Sequence, residues 1–411
     1  MIISWKTRCG FLYKLLVYSV EKERVNMNYE KHNEEVRRLL QQAEEGKCER
    51  VMMELAMNPR MIISDPMLNP RRITFEEYLK NPQIMLEIQC QFQEYCAESL
   101  ISDRIMGFEN LQEITPYPDF QNVLEGACLG CEIAFHGCNE PGTKVCADET
   151  TKYELLKNTR PLTDPLGGIV STLLSHYEFF KKKREEGYTY KGKPLGSPGM
   201  AGMGTDGPFT IACSLIGATQ ACMDLYVDQD YMMELLDYIT EAVIARNKAL
   251  RRCYGQPEKS KSFGFADDSI ALLSLDTYTE LILPFHKKMM RELCTGEEPG
   301  WIHLCGDASR FFPTLVRELN AGTFDTGFPI DHGRVVRELG PDITVKGGVH
   351  IETLRAGTAE EVANAAKTIL EAVKPFTRKF IIKEANNLSP GTPPENLSAM
   401  HEAVRRYGYY K

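Results

Sequence analysis

Along the last third of the chain, apolar and polar positions fall into repeating blocks, each reading as a short strand followed by a helix. Residues 301–305 form an apolar run that stops at Gly306-Asp307, after which Phe311, Leu315, Val316 and Leu319 take up helical spacing. Residues 323–328 end at Pro329, ahead of a helix-like 332–339. Residues 343–345 run into Gly347-Gly348-Val349 and a helix over 360–373, and 379–383 lead to Glu384-Ala385-Asn386-Asn387 and a closing helix. For that last helix the pattern predicts Thr392 as N-cap, Pro393 in the first turn and Glu395 completing a capping box. Four consecutive strand-helix units imply parallel strands with right-handed crossovers. An open doubly wound sheet and a closed barrel both satisfy this. No Gly-rich dinucleotide fingerprint follows any strand, so the expected fold is a (β/α)₈ TIM barrel.

The earlier chain is less regular. Residues 28–45 are polar and helical, and 82–96 form a helix with Pro82 in its first turn and Ile84, Met85, Ile88 and Phe92 on one spacing. A Gly-rich loop, 192–207, opens onto the apolar run 208–216. A helix is expected over 221–252, and 263–268 reads as a strand ending in two acids. The expected organisation is a tail or mis-assigned start over 1–26, an N-terminal helical extension over 27–98 and the barrel over 99–411. Residues 9–20 are apolar but short and interrupted by Lys14, too little for a membrane span, and no small-residue cleavage site follows.

Composition narrows the class of partner. The chain has 411 residues, is 43% hydrophobic and 26% charged, and carries a formal net charge of -9. An acidic balance argues against nucleic acid and anionic membranes, which require clustered Lys and Arg. The run Lys181-Lys182-Lys183-Arg184 is followed closely by acids and reads as a solvated helix face. Thirteen scattered cysteines without an export signal point to reduced thiols and a cytoplasmic protein.

In a parallel barrel the C-terminal strand ends carry the active site. Here those ends supply Asp267-Asp268, His303 and Cys305 with Asp307, Asp325 to Asp331, His350, and Glu384 with Asn386 and Asn387. His303 and Cys305 are two apart, so on a strand both point to one face and can meet at one ion. Imidazole nitrogen and thiolate sulfur are favoured zinc donors, although a hydrogen-bonded core histidine and a small buried thiol fit the same spacing. Asp267-Asp268 suits a substrate-positioning or general-base pair, or an N-cap. His350 suits substrate contact or a loop carbonyl. Cys128, Cys131, His136, Cys138 and Cys146 begin with a Cys-x-x-Cys spacing, but the remaining intervals are irregular. They read more simply as cysteines lining a strand and loop.

His303-Leu304-Cys305-Gly306-Asp307 resembles the His-x-Cys-Gly zinc motif of methylcobamide:coenzyme M methyltransferases, a branch of the uroporphyrinogen decarboxylase superfamily. Gly207-Pro208-Phe209-Thr210-Ile211-Ala212, Leu283-Pro284-Phe285-His286 and Thr392-Pro393-Pro394-Glu395-Asn396 are similar to superfamily segments, the likeness covering roughly 75–410. The resemblance implies zinc-assisted methyl transfer to or from a small molecule, with a corrinoid carried by a partner protein. It implies His303 and Cys305 as zinc ligands. That branch supplies a further cysteine after the last strand; here Glu384 stands in that region without a thiol, and is the natural substitute ligand. Asp325 and Asp331 are weaker candidates for a fourth. Asp267, Asp268 and His350 are assigned to catalysis, and Asp307, Asp331, Asn386 and Asn387 to substrate binding. Met200, Met203 and Phe209 suggest an apolar docking rim for the corrinoid protein. A homo-oligomer is the further partner expectation. The alternatives are a uroporphyrinogen decarboxylase-type lyase, for which Arg71-Arg72 lies near the substrate-clamp region without matching its motif, and a non-catalytic barrel binding a corrinoid or tetrapyrrole.

Overall fold

The structure, a computed structural model, describes residues 28–411, so the segment 1–26 read as a tail lies outside the described residues. Six parallel strands form the central sheet, in the order β1-β10-β9-β8-β7-β6. They are β1 (Met52–Met53), β6 (Phe265–Ala266), β7 (Gly300–Leu304), β8 (Ala321–Thr326), β9 (Thr344–His350) and β10 (Phe380–Ala385). Two small antiparallel hairpins, β2–β3 (Ile133–His136 with Asn139–Thr143) and β4–β5 (Thr189–Tyr190 with Lys193–Pro194), lie outside it. Beside β1, Asp103 N donates to Met53 O, and beside β6, Ala266 N donates to Thr205 O. Those contacts set two irregular segments, around 103 and 205, as staves flanking the sheet, and the architecture is that of a (β/α)₈ barrel.

The strand-helix blocks over 300–407 form as the sequence predicts. Strand interiors such as Ile302, Leu304, Phe324, Val345 and Ile382 are buried. Each is covered by the apolar stripe of a following helix, for example Val362, Ala366 and Leu370 of Ala359–Val373. Thr358 starts that helix with a full capping box.

Three expectations change, and one run without an assigned element takes form. The first strand of the sheet, β1, falls inside the span assigned to the N-terminal extension, so that boundary does not hold. The apolar run 208–216 is a helix, Pro208–Ile216. The helix expected over 221–252 is two, Ala218–Val227 and Gln229–Cys253, broken at Asp228, whose backbone leaves helical geometry (φ -145, ψ 56). The last helix starts at Pro394, and Thr392 turns its hydroxyl back to Ser389 O, so the expected capping box is absent.

The helix Tyr29–Glu44 is tied to the ring by charge. Arg50 donates both Nη atoms to Asp103 at 2.7 Å, and the pair is 1% exposed. Glu35 links Arg50, at 3.0 Å, to Arg405 of the closing helix, at 2.9 Å. Among the described residues no single helix is long and apolar enough to cross a membrane. Pro208–Ile216 and Ala218–Val227 would suffice only as a pair, and they are bent by 108°.

Candidate metal centre

A cavity of about 820 Å³ contains the ends of β6, β7 and β8 and the loop after β10. Trp301 and His303 alternate along β7 and Cys305 follows its end at the same two-residue spacing, and all three line the cavity. Trp301 is half exposed because Gly264, just before β6, gives it room: a Cβ there would sit 2.1 Å from the indole Nε1.

His303 is held from both sides. Its Nδ1 lies 2.9 Å from Asp325 Oδ2, and its Nε2 lies 3.0 Å from Cys305 Sγ. Asp268 Oδ1 accepts from Cys305 N at 2.6 Å and stands 3.9 Å from the same Nε2. Nitrogen, sulfur and oxygen all fall within 4.8 Å of one another. Tetrahedral zinc, with bonds of about 2.0–2.3 Å, separates its donors by roughly 3.5 Å. The three groups therefore fit one ion with small adjustments. Burial works to lower the His303 pKa, but Asp325 and Cys305 outweigh it and push it up to about 10. Asp325 is in turn held by Lys383 Nζ at 2.8 Å, which fixes the carboxylate against the imidazole. A carboxylate on the far nitrogen of a histidine is the usual support for a metal ligand, since it sets ring orientation and raises basicity.

Asp268, which the sequence assigned to catalysis, thus occupies the place expected for Glu384. Glu384 is fully buried. Its Oε1 accepts from Ala56 N at 2.9 Å and lies 3.6 Å from Lys383 Nζ, while its Oε2 has no hydrogen-bond partner. It is not part of the cluster. Burial pushes its carboxyl up to about 8, with Lys383 opposing. A carboxyl raised in the fold and ordinary when unfolded stabilises the fold fully below about pH 4.5, and that contribution is lost as pH rises to about 8. Glu384→Gln should therefore raise the thermal midpoint of chelator-treated protein at pH 8.5, and the gain should vanish near pH 5. A gain that is equal at both pH values would contradict this account.

Asp267 sits elsewhere. It is fully buried; its carboxylate accepts from Phe209 N at 3.2 Å, Thr210 N at 2.7 Å and the Thr210 hydroxyl at 2.7 Å, and contacts His286 Nε2 at 2.8 Å. It caps the helix Pro208–Ile216 rather than facing the cavity. Gly207 permits the approach, with φ +79 and space for a Cβ only 2.5 Å from Asp267. His350 is also turned to structure: Nδ1 accepts from Glu352 N, and the ring packs edge-on against Phe328 at 4.0 Å. Asp331 caps the helix His332–Leu339, and Asp307 is exposed and accepts from the Ser309 hydroxyl. Neither lines the cavity. Asn386 and Asn387 do.

Sequence reasoning passed over two groups. Asp325 stood only as a fourth-ligand candidate, and its part is to hold His303. Asp206, on the cavity wall, went unassigned; the signal available was an acid closing the Gly-rich loop. Burial, Glu125 and Asp268 raise its carboxyl to about 7, although the side chain is open to the water of the cavity. Its own backbone N–H is fixed by Glu125, which pairs with Arg246 in the wall behind. The cysteine group around 128–146 does not gather three donors at one point: among the described residues the one cluster of three or more possible ligands is Asp268, His303 and Cys305.

The family model described as Uroporphyrinogen decarboxylase (URO-D) matches residues 127–407. The chain belongs to the uroporphyrinogen decarboxylase family. Within this URO-D chain, two of the segments similar to the superfamily meet at one residue. The Gly207-Pro208-Phe209-Thr210 helix start and His286 of Leu283-Pro284-Phe285-His286 both hydrogen-bond Asp267. The chain is 30% identical over 297 residues to the methylated-thiol–coenzyme M methyltransferase of Methanosarcina mazei, covering 70% of this chain and 71% of that one. A solved structure of a methyltransferase from Methanosarcina mazei superposes with a TM-score of 0.61 at 17% identity, over 90% of this chain and 98% of that one, a likeness of fold.

Proposed function

We propose that this URO-D family chain is a zinc-dependent methyltransferase that works with a corrinoid protein and a small methyl donor or acceptor. Family membership and similarity to a methyltransferase support methyl transfer in general. The observation that carries the zinc is His303, with Nδ1 on Asp325 and Nε2 facing Cys305 Sγ and Asp268 Oδ1 at the cavity wall. His303, Cys305 and Asp268 would hold the ion. Zinc there would supply Lewis acidity, lowering the pKa of a coordinated thiol, hydroxyl or water. One thiolate and one carboxylate donate less charge than two thiolates. Such a site favours loss of the acceptor's proton over nucleophilicity of the resulting thiolate, and leaves oxygen as well as sulfur acceptors open. Asp206 faces the same space, and its carboxylate can take that proton. Asn386 and Asn387 offer hydrogen bonds to the substrate. For the corrinoid partner, Met200 lines the cavity and is 46% exposed, but Phe209 is fully buried in the core and is withdrawn from the docking rim.

The cavity suits an anionic tetrapyrrole poorly. Glu125, Glu140, Asp206, Asp268 and Asp325 line it, against a single described guanidinium, Arg60, which itself pairs with Glu140 at 3.3 Å. Arg71 is exposed and paired with Glu87. The lyase reading therefore has no clamp to rest on.

The test is metal content and methyl transfer from methylcobalamin to a panel of thiols and phenols, with the purified chain. Near-stoichiometric zinc and zinc-dependent transfer are expected; protein that binds no zinc when supplied with it overturns the reading. Asp325→Asn should keep the fold and weaken zinc about 10–100-fold in competition with a chromogenic chelator, the range for loss of a carboxylate behind a ligand histidine. Unchanged affinity would remove Asp325 from the centre.

A further inference from the structure

Two thiols outside the metal cluster face one another at the base of the β2–β3 hairpin. Cys131 Sγ and Cys146 Sγ are 2.9 Å apart, less than 1 Å beyond the length of about 2.05 Å of a disulfide bond. The hairpin register brings them together: Ile133 faces Thr143, Ala134 faces Gly142, and Lys144 N donates to Glu132 O. One step further out, 131 stands opposite 145 and 146. Both backbones are anchored, Cys131 N on Gly126 O at 2.8 Å, and Cys146 N on Leu215 O at 2.9 Å. A bond between the sulfurs therefore needs little movement of the chain.

The two thiols differ in access. Cys131 is 5% exposed, whereas Cys146 is open to solvent. The contact with Cys131 holds the Cys146 thiol below its ordinary value, and the same contact, together with burial, raises that of Cys131. The exposed sulfur is the better nucleophile and the buried one is placed to resolve what it forms.

We propose that Cys131 and Cys146 are a redox modification site, a dithiol that closes to a disulfide by exchange with a low-molecular-weight disulfide. The Cys146 thiolate attacks one sulfur of the reagent, forming a mixed disulfide and releasing one small thiolate. Cys131 sulfur then attacks Cys146 sulfur, and the second small thiolate leaves. The protons of the two cysteines end on the two small thiols released, so the chain is oxidised by two electrons and the reagent reduced by two. The new bond ties the two ends of the hairpin. That hairpin carries Glu140, which holds Arg60 on the cavity wall, so oxidation fixes one side of the substrate space without touching the metal cluster.

The test treats the full chain with oxidised glutathione, blocks the remaining thiols and maps peptides without reduction. The expected result is one dominant cross-link, Cys131 to Cys146, with two thiols lost per chain, reversed by dithiothreitol. Cys131→Ser should instead accumulate a glutathione adduct on Cys146. In wild type, both cysteines recovered as free thiols, or bonded to other partners, would overturn the proposal. Cysteine mapping of wild type also reports independently of zinc, so its outcome is separable from that of the methyltransferase reading.

Discussion

Cys305→Ser should leave a folded protein that no longer retains zinc and has lost methyl transfer by at least ~100-fold. The estimate follows from the several kcal/mol that a Lewis-acidic ion contributes at a reacting heteroatom. The hydroxyl of serine is a poor ligand at neutral pH, whereas the thiol of Cys305 loses its proton readily to a metal. The fold should survive because Cys305 is only half-buried and follows the end of β7, and its backbone N–H, which binds Asp268, is kept in the variant. Far-UV circular dichroism, zinc by mass spectrometry and turnover on one preparation separate the possibilities. Full activity with zinc absent in both wild type and variant would end the metal hypothesis. Zinc retained at wild-type affinity would move the ion to other residues.

Asp267→Ala should show the opposite pattern, a loss of stability of about 3–5 kcal/mol, the range for stripping one partner from a buried polar pair. The substitution leaves Phe209 N, Thr210 N and the Thr210 hydroxyl without this acceptor and His286 Nε2 without its partner, around a carboxylate that is fully buried. Loss of an N-cap alone costs about 1 kcal/mol. Thermal denaturation followed by circular dichroism checks this, with Asp267→Asn expected to fall between wild type and Ala because it keeps one acceptor oxygen. If the midpoint of the Ala variant is unchanged while turnover disappears, the carboxylate is part of the chemistry and the capping role is secondary.

These two residues show where the sequence was informative and where it was silent. The strands β7 to β10 were legible because apolar runs ended in Gly, Asp or Asn at the spacing of successive strand-helix units. Two-residue periodicity then put His303 and Cys305 on one face. The same periodicity makes Asp267 and Asp268 face opposite ways, but it does not say which way is inward. That choice depends on Gly207 admitting one carboxylate to the helix start, and on Cys305 N engaging the other. Glu384 was misplaced for a related reason. Its neighbour Lys383 is the one that reaches Asp325, and Glu384 is left buried against Ala56 N. The first strand was missed because Met52 and Met53 are two residues without a pattern of their own; pairing with Ile381 and Ile382 defines them. Asp206 was missed because its setting is made by Glu125 and Arg246, 81 residues before it and 40 after, which no local pattern joins.

The ring is stitched unevenly. Between β6 and β10 each strand is paired to the next by a parallel ladder, and that arc bears His303, Cys305 and Asp325. The stave around 205 shows one ladder-type bond to β6, and side chains, the Glu125–Arg246 pair above all, keep it in place. Selection can therefore remodel the shape and charge of that wall, and with them the choice of small molecule, by exchanging a few side chains. The laddered arc beside it would keep His303, Cys305 and Asp325 in place through such changes.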